Sequence, residues 1–106
     1  RSYSSRLLVA WVSRNSSTTL SVIGNNLSAA NVTTAKVVNL NAYTGDGYIL
    51  ANQTGSSPGL LFTSNFTATG AGDKELYLGG TNTQDNEIAG IIPDNGGSNN
   101  TAVYKI

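Results

Sequence analysis

The sequence predicts an all-β domain: a single β-sandwich, immunoglobulin-like or jelly-roll-like, of about seven to eight short strands. Three observations lead there. No window sustains the 3.6-residue period of an amphipathic helix. The apolar segments are short and rich in Val, Ile and Thr, which lose side-chain freedom in a helix and pack well on a pleated surface. Between them lie clusters of Gly, Asn and Asp, the residues that supply the backbone angles of tight turns.

Taken in order, the expected strands are Arg6–Ser13, Thr18–Ile23, Ala35–Tyr43, Gly47–Ala51, Gly59–Phe66, Lys74–Gly79, Asn86–Ile92 and Thr101–Ile106. Tyr43-Thr44-Gly45-Asp46-Gly47-Tyr48 reads as a hairpin turn with Tyr43 and Tyr48 as cross-strand partners. Pro93-Asp94-Asn95-Gly96-Gly97 reads as a second reversal, and Ser56–Gly59 and Thr69–Asp73 as surface loops. No internal repeat of useful length stands out. In Glu75-Leu76-Tyr77-Leu78 the two leucines share one face and Glu75 and Tyr77 the other, the pattern of a half-buried strand. Leu7-Leu8-Val9-Ala10-Trp11-Val12 is apolar on both alternating faces, so it requires cover on both sides.

Composition sets the class. The 106 residues suit one domain, spanning 1–106, and only 11% are charged, with Lys+Arg balancing Asp+Glu. Zero net charge offers no electrostatic footprint for nucleic acid or an anionic membrane. The longest apolar run, Leu7 to Val12, is far short of the ~18 residues of a spanning helix, so no membrane insertion is expected. Charge is unevenly placed: Arg1, Arg6, Arg14 and Lys36 face only Asp46 in the first half. In the second half Lys74 and Lys105 face Asp73, Glu75, Asp85, Glu87 and Asp94. Such asymmetry suits head-to-tail stacking.

There is no Cys and no His. Ser-His-Asp and Cys-His catalysis and ordinary zinc sites are therefore excluded, and no enzymatic activity, cofactor or metal is expected. A carboxylate pair for glycoside hydrolysis survives composition, but the acids fall at strand ends and turns, where solvated surface is their ordinary role. Calcium is the one candidate cation, through oxygen-rich loops at Asp73, Asp85, Glu87 and Asp94. Among the aromatics, Tyr43, Tyr48 and Tyr77 form the candidate platform for stacking sugar rings, whereas Trp11 belongs to core or interface.

Six N-x-S/T triplets, at Asn15, Asn26, Asn31, Asn52, Asn65 and Asn99, mildly exceed what the Asn, Ser and Thr content would scatter at random. Each can accept a hydrated glycan at the surface of an exported protein. A start at Arg1 rather than Met means that a leader has been removed or that the chain is a fragment; with the triplets, the expectation is leader removal and an extracellular or cell-surface location carrying covalent N-glycans. Asn15, Asn31 and Asn52, placed in loops between expected strands, are the foremost candidates.

The N-terminal segment has two readings. Leu7, Leu8, Val9, Ala10, Trp11 and Val12 could form a central strand of their own sheet. Alternatively residues 1–14 are a donor arm that completes the sheet of a neighbouring subunit. In composition and in this strand the chain resembles the small all-β subunits of donor-strand extracellular fibres of bacteria and archaea. That resemblance implies a structural homopolymer, head to tail, whose partner is the chain itself. The alternatives are a carbohydrate-binding or adhesive module of a secreted protein, and a viral decoration protein.

Overall fold

The computed structural model describes residues 18–24, 32–41, 46–54 and 57–106. They are all-β, with nine strands and no helix: β1 (Thr18–Gly24), β2 (Val32–Thr34), β3 (Asn39–Leu40), β4 (Gly47–Gln53), β5 (Leu60–Phe62), β6 (Thr67–Ala68), β7 (Lys74–Gly79), β8 (Glu87–Ile88) and β9 (Thr101–Lys105).

Every pairing among these strands is parallel. One sheet runs β1-β4-β7-β9, a second β2-β5-β8 and a third β3-β6. Thr18 lies opposite Gly47, Gly47 opposite Leu76 and Leu76 opposite Val103. On the other sides Val32 meets Leu60, Leu61 meets Glu87, and Asn39 meets Thr67. Partners are thus 26 to 29 residues apart on every side. The chain winds as a coil with three sides per turn, and each turn lies in register on the one before it.

The sandwich expectation is corrected here, as is the absence of a repeat. A sandwich needs hairpins whose strands return antiparallel. Among the described residues the Gly- and Asn-rich segments bend the path toward the next side instead of reversing it. Gly70, Gly72, Gly96 and Gly97 take positive φ at two such corners. The Tyr43–Tyr48 hairpin is replaced accordingly: Tyr48 has Thr19 and Tyr77 as its register partners, and Tyr43 lies outside the described residues.

Several strands match their expected spans closely, above all β1, β4, β7 and β9. The remainder are shorter or divided. The segment expected as one strand, Gly59–Phe66, ends at Phe62, and Phe66 enters a new side through β6. Within the segment expected over Ala35–Tyr43, strand structure among the described residues is confined to Asn39–Leu40, and Asn86–Ile92 keeps only Glu87–Ile88. Strand β2 was not expected. The strand expected at Arg6–Ser13 lies outside the described residues.

A coil turn cannot bury its own apolar face, so stability comes from stacking turns. Val38, Leu40, Ile49, Leu60, Phe62, Phe66 and Leu76 form one buried cluster inside the coil, with Phe62 and Phe66 meeting edge to face at 5.7 Å. At about 1.5–3 kcal/mol for each large side chain, this column is the main favourable term. Between corners the turns are tied by main-chain bonds: Thr63 N–H to the Thr34 carbonyl (2.9 Å), Thr67 N–H to Val38 (3.0 Å) and Ala89 N–H to Phe62 (2.8 Å).

One corner is polar inside. The Asn82 side-chain amide donates to the carbonyls of Thr54 (3.2 Å) and Ser57 (2.9 Å), and its oxygen accepts from Asn86 Nδ2 (3.0 Å). Asn86 Oδ1 in turn accepts the Leu60 N–H at 2.8 Å and Gln53 Nε2 at 3.4 Å. This chain of amides fixes the loop after β7 onto the loop before β5. Just upstream, Gly80 has φ +126, and a side chain there would run into the backbone of Ala51.

Candidate functional site: the tyrosine ladder and the open edge of the coil

Parallel in-register pairing places like positions of successive turns directly above one another. Tyr48, Tyr77 and Tyr104 are such a set, one on each of β4, β7 and β9. They alternate with inward Ile49 and Leu76, so their rings lie on the outer face of the first sheet. Tyr48 and Tyr77 stack at 4.8 Å and 14°, and Tyr77 and Tyr104 at 4.8 Å and 20°. The sequence reading singled out Tyr48 and Tyr77 but missed Tyr104. Its signal was a tyrosine recurring at 48, 77 and 104, spacings close to one coil turn.

Two carboxyl groups flank the ladder. Glu75 hydrogen-bonds Asp46, and the Tyr104 hydroxyl donates to Glu75. The bond with Asp46 holds the Glu75 carboxyl above its ordinary range, helped by partial burial and by the Asp46 charge, while the Tyr104 bond opposes the rise. Burial in the stack, reinforced by Glu75 and Asp46, pushes the Tyr77 phenol up as well.

The stack also decides what the ladder can bind. A sugar packs on the face of an aromatic ring, but the mutually stacked faces of Tyr48, Tyr77 and Tyr104 are covered by one another. Tyr48 and Tyr77 are half-buried in the ladder, and Tyr104 at its end is 42% exposed. Neither a protein-family model, nor a curated protein, nor a solved structure matches the chain. The reading of the site rests on its geometry.

That geometry centres on β9, where the first sheet ends among the described residues. Val103, Tyr104 and Ile106 are 47%, 42% and 59% exposed, although they sit on or beside a strand whose register equivalents on β7 are covered. Behind this edge a cavity of about 670 Å³ opens into the coil between Leu78, Ile88 and Ile92 above and Ile49, Leu60 and Phe62 below. Its rim carries Asp85, Glu87 and Lys105.

Other expected site residues fall as follows. Leu7, Leu8, Val9, Ala10, Trp11, Val12, Asn15, Asn26 and Asn31 lie outside the described residues. Asn52 is not in a loop but within β4, where Nδ2 donates to Ser21 Oγ (2.9 Å) and Oδ1 accepts the Thr81 N–H (3.1 Å). Asn65 is exposed between β5 and β6, its Oδ1 accepting the Ile91 N–H at 2.9 Å. Asn99 is half-buried at the corner before β9. The four carboxylates considered for calcium do not converge among the described residues. Asp73 accepts the Asn100 N–H and Asp94 the Thr101 N–H, both at 2.8 Å, so both fix the entry to β9. Among the described residues there is likewise no helix long and apolar enough to cross a membrane.

Proposed function

We propose that this chain is a structural, non-enzymatic subunit of an extracellular filament, extended head to tail by β-strand addition to the open edge of β9. The observation that carries the reading is that edge itself. A strand laid on β9 would satisfy its outward main-chain groups, cover Val103 and Ile106, and close the cavity behind Leu78, Ile88 and Ile92.

The occupant we assign is Leu7–Val12 of a second copy. Its two apolar faces match an acceptor that is open both toward the coil interior and along the tyrosine ladder. The basic first half and acidic second half of the chain favour head-to-tail over head-to-head contact. A heterologous contact of this kind does not close on itself, so it propagates. The N-x-S/T sites belong to the same reading, as glycans on the outside of a fibre without disulfides or a dense surface charge.

A Leu8→Asp, Val12→Asp double variant tests the assignment by sedimentation. It should remain folded by circular dichroism and lose the large species formed by the unmodified chain. Unchanged assembly by that variant would refute strand donation by this segment.

A further inference from the structure

We infer that Tyr77 and Tyr104 form an oxidative cross-linking site, at which a one-electron oxidant such as peroxide with a haem peroxidase joins β9 covalently to β7. Three observations converge on it. The rings are already stacked, at 4.8 Å and 20°, on neighbouring strands held in register. Tyr104 is the most accessible member of the ladder, so an oxidant reaches it first. Its hydroxyl acts on the Glu75 carboxyl, which offers a place for the phenolic proton as the electron leaves.

The chemistry balances with the oxidant named. Each phenol loses one electron and its hydroxyl proton, giving two tyrosyl radicals. These combine through a ring carbon beside each oxygen, forming one carbon–carbon bond. The hydrogen on each bonded carbon then moves to its oxygen, restoring both phenols. The protein has lost two hydrogens, and one hydrogen peroxide has become two waters. The stack serves as the proximity device: the second radical forms against the first rather than in solution.

The position gives the bond a physical use. Strand β9 is the last of its sheet among the described residues, with β7 as its neighbour there. A chain without cysteine cannot secure it with a disulfide. A Tyr77–Tyr104 bond would do so from the outside of the coil. Glu75 acts as a positioning residue in this step, through the hydroxyl of Tyr104.

The test treats the full chain with peroxidase and peroxide, then unfolds it and cleaves after glutamate. Cutting at Glu87 separates the peptide with Tyr77 from the peptide with Tyr104. The expected result is a joined pair two hydrogens lighter than its parts, with the blue emission of dityrosine. Tyr77→Phe and Tyr104→Phe should each abolish that pair, Glu75→Gln should slow its formation, and the urea midpoint of the joined protein should rise. Absence of the pair overturns the inference. So does an equal yield from protein unfolded before oxidation, because the folded stack would then contribute nothing.

Discussion

Asn86→Ala removes the centre of the amide chain that fixes one corner of the coil. The side chain accepts the Leu60 N–H at 2.8 Å and donates to Asn82 Oδ1 at 3.0 Å and the Gln84 carbonyl at 2.8 Å. Leu60 is 2% exposed, so its N–H finds no ready replacement in water. An unsatisfied buried donor costs about 1–3 kcal/mol and each neutral bond lost about 1, so we expect a loss of about 2–4 kcal/mol after partial rescue by solvent. Urea unfolding followed by circular dichroism measures it, and the slope with denaturant should stay unchanged because the buried surface is the same. Asn86→Asp keeps an acceptor for Leu60 and should lose less. A midpoint for Asn86→Ala that corresponds to under about 0.5 kcal/mol, the range of ordinary surface changes, would refute the claim that this corner is held by its amides.

Three further outcomes are expected of the same molecule. Because the folded Glu75 carboxyl titrates above its unfolded value, its contribution to stability is complete below the ordinary carboxyl range. That contribution is lost as pH rises through the raised value, so Glu75→Gln should flatten the urea midpoint across weakly acidic pH. Gly80→Ala forces a side chain into positive φ and against the Ala51 backbone, and should cost about 1–3 kcal/mol or more in the same unfolding assay. Intact-mass measurement of the natively produced chain should exceed the bare 11.0 kDa polypeptide by several glycans, with Asn65 occupied more fully than Asn52; a mass equal to the polypeptide refutes this.

How much of this was legible in the residues depends on the element. Lys74–Gly79 could be placed to the residue because Leu76 and Leu78 alternate with Glu75 and Tyr77 beside glycine boundaries. Direction could not. An inward position in a coil accepts side chains of differing size and polarity, so Thr34, Phe62 and Ile88 occupy equivalent places on successive turns without resembling one another. The turn length also drifts between 26 and 29 residues, which blurs a repeat that the tyrosines alone keep visible. Corner glycines and hairpin glycines look alike in sequence, since both need positive φ. At the site, Tyr48 and Tyr77 were recognisable as outward aromatics. Their stacking on one another, however, depends on parallel register, which the residues alone do not display.

The claim on which the rest depends is that the open edge of β9 is a junction between copies. Negative-stain microscopy of the natively produced protein, alone and with a Val103→Asp, Ile106→Asp double variant, tests it directly. Both substitutions lie at positions that are already exposed, so the variant should fold. We predict fibres of single-coil width from the unmodified protein and isolated particles from the variant. Isolated particles from both, or fibres from both, would contradict the account.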